Sequence, residues 1–194
     1  MRRTSNHSLL LPIARWLPGL WLVVLLLTVC DMSLANELFD GFPQQISTGG
    51  STALVVEQKP GYFALHGEPL PREKAVLLFE PERIAVLQGS PSPPLAPTQA
   101  ISPVYAPKGG ESLAVPTGQL FIRFRQGDTL SAHRAELEQA GYAIAQELDY
   151  APEAAWLRAR SGSIAGALDG VSRLRAIAAV ERVEPQLLMQ RVHR

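Results

Sequence analysis

The sequence predicts an α+β fold, and residues 117–194 carry most of that prediction. Apolar and polar residues alternate in four short stretches of this segment, which indicates strands. In two others apolar residues recur at spacings of three and four, which indicates helices. In chain order the elements are strand, helix, strand, strand, helix, strand. Two helices on one face of a four-stranded antiparallel sheet form the split-βαβ, or ferredoxin-like, arrangement. We therefore predict a ferredoxin-like βαββαβ domain over residues 117–186.

The first half of this domain follows from local patterns. Alternation indicates a half-buried strand over residues 120–125. Asp128 or Thr129 is predicted to cap the first helix, and Gly141 is suited to a left-handed C-cap at its end. Residues 143–148 are predicted to form the second strand.

The second half begins with a turn over residues 149–153 and a third strand over residues 154–160. Ser161 or Ser163 is predicted to start the second helix. The apolar stripe of this helix is the most regular in the chain and comprises Ile164, Ala167, Leu168, Val171, Leu174 and Ile177. Residues 180–184 are predicted to form the fourth strand.

Composition divides the rest of the chain. Residues 36–88 contain short apolar runs separated by Pro and Gly, which predicts a small β meander. Residues 89–116 contain seven prolines in 28 positions, which predicts a semi-extended linker. Residues 187–194 follow the last predicted strand and are expected to form an unanchored, basic C-terminal tail.

The N-terminal residues 1–35 have the layout of a secretory signal peptide. Basic residues precede an apolar run of 11 residues, Leu20–Cys30, whereas a membrane-spanning helix needs roughly 20. Small residues up to Ala35 predict cleavage there. We therefore expect an exported protein, periplasmic or secreted, with no membrane association after signal removal. A lipoprotein modified at Cys30 is the disfavoured alternative, because Val29 is bulky where such sites carry a small residue.

Composition also limits the function. Removing residues 1–35 leaves 194 − 35 = 159 residues without cysteine, and it reduces 18 basic and 18 acidic residues to 15 and 17. A net charge near −2 provides no large field for polyanions, so nucleic acid is not an expected partner. The remaining histidines, His66, His133 and His193, belong to no catalytic or metal-binding motif, and His133 is expected to face solvent. We therefore expect a protein that is not an enzyme, without catalytic residues, metal or cofactor.

The sheet face opposite the predicted helices carries the candidate binding residues. By alternation, Phe121, Arg123, Trp156 and Arg158 point away from the helices. Aromatic residues and Arg are enriched in the hot spots of protein interfaces, so we interpret this face as a partner-binding surface. In the alternative interpretation, the N-terminal meander covers this face.

Three segments of the domain resemble a subtilisin propeptide. Residues 119–127, Gln-Leu-Phe-Ile-Arg-Phe-Arg-Gln-Gly, are similar to its opening strand, and Tyr142–Ile144 with Ala155–Leu157 are similar to its central hairpin. Residues 179–185, Ala-Val-Glu-Arg-Val-Glu-Pro, are similar to the closing strand of this inhibitor family. Because no protease sequence follows Arg194, the layout resembles the stand-alone external chaperone of a secreted bacterial kexin-type subtilase.

The resemblance implies a partner and a first set of contacts. A chaperone of this kind helps a separately encoded subtilisin/kexin-like serine protease to fold and inhibits it until export is complete. Phe121 and Trp156 would pack on two surface helices of that protease. Asp149 and Glu153, in the turn between the second and third strands, would cap the N-termini of those helices.

The resemblance also implies that the C-terminal tail lies in the substrate cleft of the protease. Arg194 would occupy the P1 pocket and Arg191 the P4 pocket. The predicted tail residues are Leu187, Leu188, Met189, Gln190, Arg191, Val192, His193 and Arg194. The alternative function is a periplasmic ferredoxin-like binding or envelope assembly module with no protease client.

Overall fold

The computed structural model describes residues 38–49, 53–92 and 94–190. The predicted signal peptide, with Cys30, lies outside the described residues, as do the last four residues of the predicted tail, Arg191–Arg194. No helix within the described ranges is both long enough and apolar enough to cross a membrane.

In the described part of the chain, nine strands form one sheet and three short helices pack against its C-terminal part. The strands are β1 (Gln45–Ser47), β2 (Val55–His66), β3 (Leu77–Phe79), β4 (Ile84–Gln88), β5 (Ala100–Pro107), β6 (Ala114–Phe124), β7 (Tyr142–Glu147), β8 (Ala154–Ala159) and β9 (Val180–Met189). The helices are α1 (Arg134–Gln139), α2 (Ile164–Asp169) and α3 (Val171–Arg175), and one 3-10 turn spans Arg72–Lys74. The order along the sheet is β3-β4-β2-β5-β6-β8-β7, with β1 on β2 and β9 on β6.

The C-terminal module, defined here as β6–β9 with α1–α3, contains four antiparallel strands in the order β9-β6-β8-β7. On the central strand β6, Ile122 lies opposite Ala155 of β8 and Val183 of β9. These side chains join Leu137 of α1 and Leu174 of α3 in one buried cluster. Burying such a side chain stabilises the fold by about 1.5–3 kcal/mol for Leu, Ile or Val. The strands overlap their predicted ranges, and the ferredoxin-like class stays a prediction because they belong to a larger sheet.

The first helix of the module begins later than expected. Asp128 and Thr129 do not cap it, because residues 130–133 form turns and α1 starts at Arg134 with His133 at its N-cap position. The Asp128 carboxylate lies 3.1 Å from Nε2 of His133. The carboxylate that was expected to accept from helix N–H groups therefore pairs with an imidazole instead.

The predicted second helix is two helices, α2 and α3, which meet at Gly170. Ser163 caps α2 by accepting a hydrogen bond from the Gly166 N–H at 3.1 Å. It is one of the two residues, Ser161 and Ser163, predicted to start this helix. At the break, the Tyr142 ring lies directly against the Gly170 backbone, where a Cβ atom would overlap it. The Tyr142 hydroxyl donates to the Ala167 carbonyl at 2.7 Å. Glycine is therefore required at the point where the helical stripe is interrupted.

The N-terminal β-region, defined here as residues 38–107 within the described ranges, is organised around β2. This strand pairs with β5 along one edge and with β1 and then β4 along the other. A register shift between Gln58 and Phe63 includes Gly61, whose φ is +81°. The apolar side chains of the region divide among three clusters rather than one core.

The predicted linker, residues 89–116, has to be corrected, because it contains β5 and the start of β6. Val104 and Tyr105 of β5 are fully buried, so burial outweighs the proline density. The prolines fit because β5 pairs along its length with β2 and meets β6 at one position, Tyr105 opposite Ala114. The meander and the module are thus joined in one sheet.

Candidate partner-binding surface

The candidate surface is centred on an aromatic pair on the sheet face opposite the helices. Phe121 on β6 lies directly opposite Trp156 on β8. Their ring centroids are 5.6 Å apart and their planes are inclined by 66°, an edge-to-face contact. Both side chains are half-buried and belong to none of the four hydrophobic clusters formed by the described residues.

Strand alternation explains why these two aromatics are on this face. Their neighbours Leu120, Ile122 and Leu157 are fully buried under the helices. Since successive side chains of a strand point to opposite faces, Phe121 and Trp156 must point away from that core. The same pleat places Arg123 and Arg158 on this face, and both are exposed, as expected.

The arginines of this surface differ in their partners. Arg123 lies 3.2 Å from Glu153 and 3.7 Å from Glu181, so it links the β7–β8 turn to β9. Its cross-strand neighbour Arg182 donates to Glu184 at 2.6 Å. Half-exposed pairs of this kind contribute about 0–1 kcal/mol each, so their main effect is to fix side-chain positions. Among the described residues, Arg158 takes part in no ion pair.

The turn between β7 and β8 contains both predicted capping carboxylates. Glu153 is paired with Arg123, whereas Asp149 is exposed. Between them Tyr150 has 85% of its surface exposed, the largest value among the exposed large hydrophobic residues described. Tyr150 was not among the predicted site residues, although an aromatic residue beside Asp149 in this short turn was a visible signal. The turn therefore presents a carboxylate and an aromatic ring beside each other.

The predicted free tail has to be corrected, because Leu187, Leu188 and Met189 are the last three residues of β9. They pair with Pro116, Val115 and Ala114 of β6. The strand continues because these apolar residues find buried partners on both faces of the sheet. Gln190 is exposed and follows the strand.

The N-terminal β-region contacts the module at α2 and at β9. The ideal Cβ position of Gly41 is 3.7 Å from Cβ of Ala165, and Leu168 belongs to one of the clusters of the region. On the other side it reaches the edge of β9, where the Gly49 carbonyl accepts from Arg182 at 3.1 Å.

His133 does not face solvent as expected. Its ring stacks on Phe124 with centroids 4.6 Å apart, and Nδ1 lies 3.3 Å from Glu136. The hydrogen bond to Asp128 raises the pKa of His133; burial lowers it and Glu136 raises it further. The residue joins α1 to the end of β6 and lies apart from the aromatic pair in sequence and in its contacts.

The described residues contain no group of three or more His, Cys, Asp or Glu side chains arranged to hold a metal ion. In comparisons with known proteins, the chain matches no family model, no curated protein and no solved structure. The function therefore has to be argued from the chemistry of the surface described above.

Proposed function

We propose that this protein is an external folding chaperone and temporary inhibitor, acting in trans on a secreted subtilisin/kexin-like serine protease. The observation that carries the proposal is the edge-to-face pair of Phe121 and Trp156 on the sheet face opposite the described helices α1–α3. Beside it lies a turn with an exposed carboxylate and an exposed aromatic ring.

The aromatic pair supplies the centre of the proposed interface. Each large aromatic ring buries much apolar surface at a low cost in side-chain entropy, and Trp and Tyr are over-represented among residues that dominate binding energy. Arg123 and its acidic partners form a polar rim at one end of the pair. As the propeptide resemblance implies, the partner would contribute two parallel surface helices to this face.

The β7–β8 turn would contact the ends of those helices. A carboxylate at a helix N-terminus gains roughly 0.3–1 kcal/mol from the helix dipole and free N–H groups. Asp149 is the better candidate for this role, because Glu153 already neutralises Arg123. Tyr150 extends the contact with an aromatic anchor next to Asp149.

The C-terminal residues would inhibit the protease by lying in its cleft as an added strand. Because Leu187–Met189 belong to β9, the inserted segment would be shorter than the sequence predicted and would start at Gln190. Arg194 and Arg191 remain the proposed residues for the P1 and P4 pockets. Binding to the native protease but not to its unfolded form would stabilise it by about 4 kcal/mol at 1,000 times the dissociation constant.

The proposal is tested by co-expressing the full chain with a secreted subtilase, which we expect to be encoded in an adjacent reading frame. Active protease should appear only when both are present, and the purified chain should inhibit it. Trp156→Ala should weaken the complex by about thirtyfold or more, since hot-spot truncations cost about 2 kcal/mol or more. The matched control is Val76→Ala, which truncates an apolar side chain that is 50% exposed in the N-terminal β-region. Equal affinities of the two variants contradict the proposed surface.

A second candidate is a periplasmic binding or envelope assembly module with no protease client. The observation that favours it is the pairing of Leu187–Met189 within the sheet, which leaves less chain for a cleft. The two candidate functions predict different outcomes of the same experiment. A module of this second kind binds a partner through Phe121 and Trp156 but does not inhibit the subtilase.

A further inference from the structure

We propose that the N-terminal β-region is a positioning device that holds the second half of β9 in the sheet and so fixes where the chain end leaves the protein. This assigns a role to a region for which the sequence suggested none. The proposal concerns the described residues 187–190, and its consequence for inhibition rests on the proposed function.

The main-chain pairing of β9 has two parts. Residues 180–185 pair with residues 120–124 of β6, within the C-terminal module. A register shift then separates this part from the pairs that Leu187–Met189 make with Ala114–Pro116. Gly118, with φ of +82°, lies in the interrupted stretch of β6. The second part of β9 therefore follows the first directly in sequence but pairs with a different segment of β6.

The side chains of the second part pack on two clusters, one on each face of the sheet, that consist mostly of residues of the N-terminal β-region. Leu187 and Met189 pack on a cluster that includes Ile46, Val56 and Tyr105. Leu188, which alternates with them, packs on the opposite cluster, whose buried members are Ala64, Ile84, Val86, Val104 and Val115. A short strand segment supported on both faces by strands of another region depends on that region for its order.

Hydrogen bonds fasten the segment that precedes β1 over one of these clusters. The Tyr105 hydroxyl donates to the Pro43 carbonyl at 2.8 Å, and the Gln58 amide donates to the same carbonyl at 3.1 Å. Phe42 is thereby held against the cluster that contacts Leu187 and Met189. Without this cover, Leu187 and Met189 of β9 would be more exposed, and the strand would fray from its end.

The test compares two buried aliphatic residues of the N-terminal β-region in the full-length chain. Ile46, 4% exposed, belongs to the cluster that contacts β9, whereas Leu65, 7% exposed, belongs to a cluster that does not. Amide hydrogen exchange is measured for residues 187–190, with residues 181–184 of the same strand as an internal reference. Ile46→Ala should accelerate exchange at residues 187–190 by roughly tenfold or more relative to that reference, and Leu65→Ala should not.

The outcomes are separable. Unprotected amides at residues 187–189 in the unsubstituted chain, or equal acceleration by both variants, would overturn the positioning role. If Ile46→Ala unfolds the chain, Tyr105→Phe removes only the hydroxyl that bonds Pro43, keeps the ring and should give the same local effect. A different result contradicts the proposed function alone. In that case the exchange pattern is as expected, but the unsubstituted chain does not inhibit the subtilase. If both hold, Ile46→Ala should weaken inhibition more than Leu65→Ala does.

Discussion

The two halves of the sheet differ in how they bury apolar surface. The C-terminal module has one cluster of 13 buried residues beneath its helices. The N-terminal β-region divides its buried residues among clusters of five, five and three, the first two of which also include Ala114, Val115 and Leu168 of the module. One of these includes Leu168 of α2 and is lined by residues of β9. The comparison indicates that the module has a core of its own, whereas the N-terminal β-region needs the module to complete its clusters.

The largest expected difference comes from the same substitution made in each half. Phe124, fully buried in the module, and Phe63, 8% exposed in the smallest cluster, are each changed to Ala. We expect Phe124→Ala to reduce the free energy of unfolding by about 4 kcal/mol and Phe63→Ala by about 2 kcal/mol, because a small cluster at the surface collapses more easily around the cavity. Urea unfolding checks both values. A greater loss for Phe63→Ala contradicts the comparison.

Acidification should weaken the N-terminal β-region in particular. Burial lowers the pKa of His66 to about 4, and Nε2 of its ring lies 2.9 Å from the Ser102 hydroxyl. Between the ordinary value of about 6.5 and pH 4, the unfolded chain binds a proton that the folded chain does not. Stability should therefore fall as the pH falls through this window, by at most about 3 kcal/mol. His66→Gln should remove this contribution from the pH dependence measured by urea unfolding, and an unchanged dependence contradicts it.

Tight packing in the module is tested at glycine positions. Gly170 has no room for a Cβ atom, because the Tyr142 side chain occupies that space, whereas a Cβ on Gly41 would make ordinary contact with Ala165. Gly170→Ala should cost about 2 kcal/mol through displacement of Tyr142. Gly41→Ala should lie within about 0.5 kcal/mol of the unsubstituted chain. Thermal unfolding of the pair decides this, and similar midpoints would indicate that Tyr142 moves freely.

The comparison also explains which features could be predicted from the sequence. Phe121 and Trp156 were placed on one face because alternation is a local property of each strand. The break at Gly170 could not be predicted, because it depends on Tyr142, which is distant in sequence. Tyr150 was missed because exposure depends on how the turn folds, although its type and position were visible.

The two boundary errors have a common cause. Pro185 directly follows the predicted fourth strand, residues 180–184, yet it lies opposite Leu120 within β9, which pairs with β6 among the described strands. Similarly, the prolines of residues 89–116 concealed β5. Proline has no N–H group to donate to a neighbouring strand. It is therefore tolerated in a strand where that edge makes few backbone hydrogen bonds. Whether a given edge of a strand is paired depends on residues that are distant in the sequence.

The smallest expected effect has the opposite sign to that of His66. In the module, the pKa of His133 is raised, first by the hydrogen bond to Asp128. The protonated ring is therefore favoured in the folded state, and its contribution to stability is fully present below the unfolded pKa of about 6.5 and is lost as the pH rises through the folded pKa. His133→Gln should remove this contribution at pH 5.5 and have less effect at pH 8. His66→Gln should instead increase stability at acidic pH. The effects of the two substitutions on the free energy of unfolding should therefore change with pH in opposite directions. Equal slopes would show that the two halves of the sheet do not differ in their response to protons.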